Sequence, residues 1–87
     1  MIDETALACV EIFRKTAGLD RSPRGSAMSN EDVASAPIDS FDIDSLDTME
    51  FVMAVEDRFG VLLNEEAVNG CKTLADFAKL VAEARGV

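Results

Sequence analysis

Apolar residues recur at three- and four-residue spacing through most of the chain, and strict alternation is scarce. Ala6, Cys9, Val10, Phe13 and Ala17 fall on one face of a helix running from Asp3 to about Ala17. Gly18 is placed to stop it. Low hydrophobicity prevails from Leu19 to Ser40. The run Arg21-Ser22-Pro23-Arg24-Gly25-Ser26 has loop chemistry, and Val33 and Ile38 are the residues expected to pin the second half of this stretch to a core. A second long helix is expected to start at Asp44 or Ser45 and end at Phe59 before Gly60. Asp44 serves as its N-cap, and Asp47 suits the positive end of the helix dipole. Residues Glu65 to Asn69 read as a short helical turn. Thr73-Leu74-Ala75-Asp76 resembles a capping box with Asp in the place of Glu or Gln. It opens a last helix whose inner face carries Leu74, Phe77, Ala78 and Val81. The expected fold is all-α: a small four-helix bundle of three longer helices and one short one, with a long loop from about 19 to 40 between helices one and two.

With 87 residues the chain has room for one core, so residues 1–87 are read as one domain. Large α/β enzyme scaffolds are excluded by that length. Hydrophobic residues make up 48% of the sequence, enough to fold and too many for a disordered tail. Asp and Glu number 17 against 8 Lys and Arg, a formal net charge of -9. Such a surface repels nucleic-acid phosphates and anionic lipid, and favours partners with basic patches. There is no His, which removes the usual general base and the commonest transition-metal ligand. An internal Ser-His-Asp triad and a His-bearing zinc site are therefore excluded, and no metal site is expected. Two cysteines, Cys9 and Cys71, make neither a disulfide framework nor a CxxC site, and both read as small hydrophobes. Met1-Ile2-Asp3-Glu4 lacks a basic-then-apolar signal pattern, and no apolar run approaches membrane-spanning length. These features describe a soluble, cytoplasmic, reduced monomer.

The second long helix carries more apolar surface than one core needs. At about 100° per residue, Phe51, Val52, Val55 and Phe59 share a face with Thr48. Leu46, Met49 and Met53 form a second stripe away from it, flanked on the far side by Asp47, Glu50 and Asp57. Two readings of that stripe stand. Met49 and Met53 widen the core face, or they form an adaptable docking face that meets a groove rimmed by Arg and Lys on another protein.

At the start of the same helix, Ser45 sits just inside the N-terminus and is expected to be exposed. A phosphate ester there would lie beside unpaired backbone N–H groups and the positive dipole end. On Asp44 and Ser45 alone, a plain helix cap is the favoured reading, because such caps are common. The pair Asp42-Ile43-Asp44 does not make a calcium loop, because Leu46 occupies the next ligand position, the required Gly is missing and Met53 stands where the bidentate Glu belongs.

The wider run, Asp44-Ser45-Leu46-Asp47-Thr48-Met49-Glu50-Phe51-Val52-Met53-Ala54-Val55-Glu56-Asp57-Arg58-Phe59-Gly60-Val61, closely resembles the second helix of acyl carrier proteins. The likeness is strong from Phe41 to Val61, extends to the Thr73-Leu74 helix start, and is thin before Val33. It implies a carrier without catalysis of its own. Ser45, between Asp44 and Leu46, would carry 4′-phosphopantetheine, transferred from coenzyme A by a Mg²⁺-dependent phosphopantetheinyl transferase. In that reaction the Ser45 hydroxyl attacks the coenzyme A pyrophosphate and becomes a phosphodiester. The arm's thiol would hold acyl, or aminoacyl, cargo as a thioester and present it to acyl-loading and acyl-processing enzymes. The resemblance gives partner contacts to Asp44, Leu46, Asp47, Glu50, Met53, Glu56 and Asp57, and the second stripe adds Met49. Four departures stand out. Phe41-Asp42 replaces a Leu-Gly pair and puts charge near the arm. Arg58 replaces a frequent acidic residue, Leu62-Leu63-Asn64 replaces an acidic-Ile-Pro run, and Arg21 to Asn30 is inserted. They point away from housekeeping fatty-acid synthesis and toward a dedicated polyketide, nonribosomal-peptide or specialised lipid pathway. The competing reading is an unmodified acidic helical adaptor whose Ser45 only caps a helix.

Overall fold

The computed structural model describes residues 3–41 and 43–86. In chain order its helices are α1 (Glu4–Thr16), α2 (Pro23–Ala27), α3 (Asn30–Ser35), α4 (Ser45–Phe59), α5 (Glu65–Asn69) and α6 (Leu74–Arg85), with 3-10 turns at Leu19–Arg21 and Ile38–Phe41. Among the described residues there is no strand. One antiparallel bridge pairs Pro37 with Thr73. The all-α reading and its three long helices stand.

Local chemistry explains the boundaries. Asp3 caps α1 by accepting the Ala6 N–H at 2.8 Å. At α6 the capping box is complete: Thr73 Oγ1 accepts the Asp76 N–H at 3.1 Å, and the Asp76 carboxylate accepts the Thr73 N–H at 3.3 Å. Asn64 opens α5 by accepting the N–H groups of Glu66 and Ala67. Gly60 ends α4 at φ 66°, a left-handed conformation that a residue with a Cβ adopts only under strain.

α1 packs against α3, α4 and α6, so its inner face is the axis of the core. Cys9, Val10 and Phe13 are fully buried there, together with Val33, Val55, Leu74, Phe77 and Val81. Aromatic rings link the helices. Phe13 meets Phe51 edge-on at 5.3 Å, Phe51 lies 4.8 Å from Phe77, and Phe41 closes on Phe13 at 5.3 Å. The expected inner faces of α1 and α6 are the observed ones. Both cysteines are free. Burial, and then the charge of Asp3, pushes the Cys9 thiol up to about 12. Cys71 is half-buried, and its thiol is raised by burial first and by Asp76 second.

The stretch from 19 to 40 differs from a loop. It folds into α2, α3 and the two 3-10 turns, and Arg14 of α1 organises it. Arg14 donates to the carbonyls of Gly25 at 2.9 Å and Met28 at 2.7 Å, and to Asn30 Oδ1 at 3.1 Å. Gly25 sits directly on the Leu19 carbonyl, where a Cβ has no room. Ser22 and Ser29 cap α2 and α3. Val33 is fully buried, and Ile38 packs against the core from a half-buried position, as expected for the two pins. The Ile38 N–H donates to the Lys72 carbonyl at 2.8 Å, which ties the approach to α4 onto the start of α6. No described helix is long and apolar enough to cross a membrane.

Candidate functional site

Ser45 is the first residue of α4 and is exposed. Its position follows from Asp44, whose extended backbone and carboxylate form the N-cap: Asp44 Oδ1 accepts the Asp47 N–H at 2.8 Å. Thr48 Oγ1 donates to the Asp44 carbonyl at 3.1 Å and tightens the same turn. The Ser45 and Leu46 N–H groups have no intrahelical acceptor, because they precede the first full turn. Among the described residues the Ser45 hydroxyl makes no hydrogen bond. Arg24 secures the preceding segment. Its guanidinium donates to the Ser40 carbonyl at 2.6 Å and lies 5.3 Å over the Phe41 ring. Asp42, expected to add charge beside the arm, lies outside the described residues, as does the part it would play in any cation loop. Among the described residues no group of three or more His, Cys, Asp or Glu side chains could hold a metal ion.

The second stripe of α4 faces outward. Leu46 is 62% exposed, Met49 60% and Met53 62%, so these are not wide-face core residues. Phe51 and Val55 alone are buried from this helix. Glu50 and Asp57 are exposed beside the stripe, and Asp47 is half-buried at its start. The one ion pair among the described residues joins Arg14 to Asp20, so the carboxylates along α4 have no cation partner. Glu56 is the exception among the expected docking residues. It is half-buried, and its Oε2 accepts the Leu63 N–H at 2.8 Å, fixing the turn into α5. No sequence signal marked that role, because the bond spans seven residues across a loop. Two recesses flank α4. One, of about 340 Å³, opens between α4 and α5 and is lined by Met49, Val52, Met53, Leu63 and Val68. The other, of about 280 Å³, reaches inward from Thr48 to Phe13, Phe51 and Phe77.

Residues 26–81 match the family described as the phosphopantetheine attachment site. The chain belongs to this family. That span contains α3 to α5 and most of α6, so the match covers the helix that displays Ser45 and part of the core that supports it, while α1 lies outside the span. No solved structure matches the chain. Members of the phosphopantetheine-attachment family are carriers: 4′-phosphopantetheine is bound covalently, and the domain holds acyl groups rather than transforming them. This carrier therefore works with a phosphopantetheinyl transferase and with biosynthetic enzymes, and it is not itself an enzyme. The exposed start of α4 fits the group, since among the described residues no side chain covers a hydroxyl at that position or competes for it. When bound, the group supplies a thiol that holds the cargo as a thioester.

Proposed function

We propose that Ser45 is the attachment residue and that residues 1–87 act as one acyl-carrier domain. The observation that carries this reading is the state of the hydroxyls within the matched span. Its serines are Ser26, Ser29, Ser35, Ser40 and Ser45. Ser26 donates to the Pro23 carbonyl, Ser35 to the Glu31 carbonyl and Ser40 to the Pro37 carbonyl. Ser29 accepts the Asp32 N–H as a cap. Ser45 is the one left with a hydroxyl that has no partner among the described residues. Its chemistry there is that of a presented nucleophile. Asp44 holds the helix start and shows Ser45 to an incoming transferase, while its carboxylate is already committed to the Asp47 N–H. With no His in the chain, proton removal from Ser45 Oγ falls to the transferase.

The same reading assigns recognition to the outward face of α4. Leu46, Met49 and Met53 supply adaptable apolar contacts, and Asp47, Glu50 and Asp57 meet basic rims on the transferase and on acyl-loading and acyl-processing enzymes. Glu56 contributes charge at the far end while holding the turn. A monomer in the cytoplasm serving a dedicated polyketide, nonribosomal-peptide or specialised lipid pathway fits the departures at Arg58, Leu62-Leu63-Asn64 and the inserted Arg21 to Asn30 segment. The test is transfer from a fluorescent coenzyme A analogue by a broad-specificity transferase to wild type, Ser45→Ala and Ser40→Ala. Label on wild type and Ser40→Ala alone supports Ser45. Label on Ser45→Ala overturns the assignment, and no label on any folded protein favours the unmodified adaptor.

A further inference from the structure

Arg24 stands in α2, and its exposed side chain reaches across to the segment that leads into α4. One guanidinium nitrogen donates to the Ser40 carbonyl at 2.6 Å and the other to Ser40 Oγ at 3.4 Å, while the guanidinium carbon lies 5.3 Å from the centre of the Phe41 ring. A planar, forked cation does both at once. On its other side Phe41 meets Phe13 of the core. Residues 42 and 43 alone separate Phe41 from Asp44, the N-cap that displays Ser45. α2 is itself held from behind. Arg14 donates to the carbonyl of Gly25, the residue after Arg24, at 2.9 Å, and Gly25 is seated on the Leu19 carbonyl with no room for a Cβ. Two arginines thus act in series, from α1 through α2 to the entry of α4. Both precede residue 26, where the family match begins, so neither is accounted for by that match.

We propose that Arg24 is a positioning residue for the loading of Ser45. It holds the approach from Ser40 to Asp44 in the arrangement on which a phosphopantetheinyl transferase docks, and it acts through the backbone rather than on the reacting hydroxyl. The proposal rests on Ser45 as the attachment residue. The approach has few backbone ties of its own. The Ile38 N–H donates to the Lys72 carbonyl at 2.8 Å and the Ser40 N–H to the Pro37 carbonyl at 3.0 Å, both before Phe41. The next tie among the described residues is inside α4, from the Thr48 N–H to the Asp44 carbonyl at 3.1 Å. Between them side chains carry the connection: Phe41 and Ile43 pack on the core, and Arg24 closes the outer side. Removing Arg24 frees the Ser40 carbonyl to water and uncovers the Phe41 ring, so looser arrangements of the approach gain population. Binding to the transferase then draws on a smaller competent fraction, which raises KM for the carrier and leaves kcat in place.

The test is steady-state transfer from a fluorescent coenzyme A analogue by a broad-specificity transferase to unmodified wild type, Arg24→Ala and Arg24→Lys. Amide hydrogen exchange of the same free proteins is measured beside it. KM for Arg24→Ala should rise about fivefold at unchanged kcat, the scale of losing an exposed cation–π contact read as a population. Arg24→Lys, which keeps the cation but not the fork, should fall between the two. Protection of the Asp47 N–H, which Asp44 accepts at 2.8 Å, should drop in Arg24→Ala. Protection of the Asp76 N–H, capped by Thr73 at 3.1 Å, should not. Val81→Ala, which opens a cavity at a fully buried position of α6, should lower the urea midpoint without moving KM, so instability alone does not mimic the effect. An unchanged KM in Arg24→Ala overturns the proposal. So does a raised KM with unchanged exchange at Asp47, which makes Arg24 a direct contact of the transferase. Wild type that takes no label removes the Ser45 assignment and with it any role in loading, while a loss of protection at Asp47 in Arg24→Ala would leave the tie from α2 to the start of α4 standing.

Discussion

Replacing Arg14 by Ala should unfold the 19–40 segment from the bundle and lower global stability by about 2–3 kcal/mol. The size follows from what Arg14 holds. Its side chain is 13% exposed, and it donates two charge-assisted bonds to backbone carbonyls, Gly25 at 2.9 Å and Met28 at 2.7 Å. Each contributes about 1–1.5 kcal/mol net, because the freed carbonyls regain water only in part. The 3.4 Å pair with Asp20 adds little, since Asp20 is 66% exposed. For a chain of this size a total stability of about 4–13 kcal/mol is ordinary, so the loss is a large fraction of the whole. It corresponds to a melting point lower by about 10–20 °C. Arg14→Lys should lose about half as much, because an ammonium cannot fork across two carbonyls, and Asp20→Asn should cost under about 0.5 kcal/mol. Urea unfolding gives the energies, and amide hydrogen exchange shows where protection is lost, with residues 19–40 expected first. A loss under about 0.5 kcal/mol in Arg14→Ala, or unchanged protection there, would refute the claim that this arginine organises the segment.

Two further outcomes follow from the same geometry. Thr73→Ala should cost about 1 kcal/mol in urea unfolding by removing half of the α6 capping box. Hydrogen bonds from the Lys72 and Thr73 backbone hold the Asp76 carboxyl below its ordinary value, outweighing a partial desolvation. The box's contribution is therefore present above the unfolded-state pKa and is lost as pH falls through the lower native one, so Asp76→Asn should flatten the acid limb of a pH–stability curve. Cys9 runs the other way. With its thiol at about 12 in the fold, its contribution is full below the ordinary thiol pKa and declines as pH rises toward that native value. Melting points measured upward from pH 8 should fall more steeply in wild type than in Cys9→Ala, and native Cys9 should resist thiol reagents that label the half-buried Cys71; equal labelling would contradict the burial argument.

The long helices were legible because each carries its own signals. Asp3, Asp44 and Thr73 cap their helices from within a few residues, Gly60 stops α4, and the inner faces of α1 and α6 repeat at helical spacing. α5 was legible for the same reason, with Asn64 ahead of it. α2 and α3 were not. Helices of five and six residues are too short to show a period, and their stability comes from Arg14 at a distance of 11 to 16 residues in sequence. The available clues were local: Ser22 before Pro23 at a helix start, and Ser29 three residues before Asp32. At the site, the exposure of Ser45 and the family pattern of α4 could be read from the chain, while the choice between core and surface for Met49 and Met53 needed the packing. The dual use of Glu56, a backbone anchor as well as a surface charge, arises from a tertiary contact with no sequence pattern of its own.

The central claim is that this carrier bears its arm on Ser45. The most direct measurement is the intact mass of the folded protein after incubation with coenzyme A, Mg²⁺ and a broad-specificity phosphopantetheinyl transferase, followed by fragmentation to locate the modified residue. The account predicts a single added phosphopantetheine on the peptide containing Ser45, and none on a Ser45→Ala protein that keeps its fold because Asp44 still caps α4. A modified residue elsewhere, or a folded wild type that gains no mass, would contradict it.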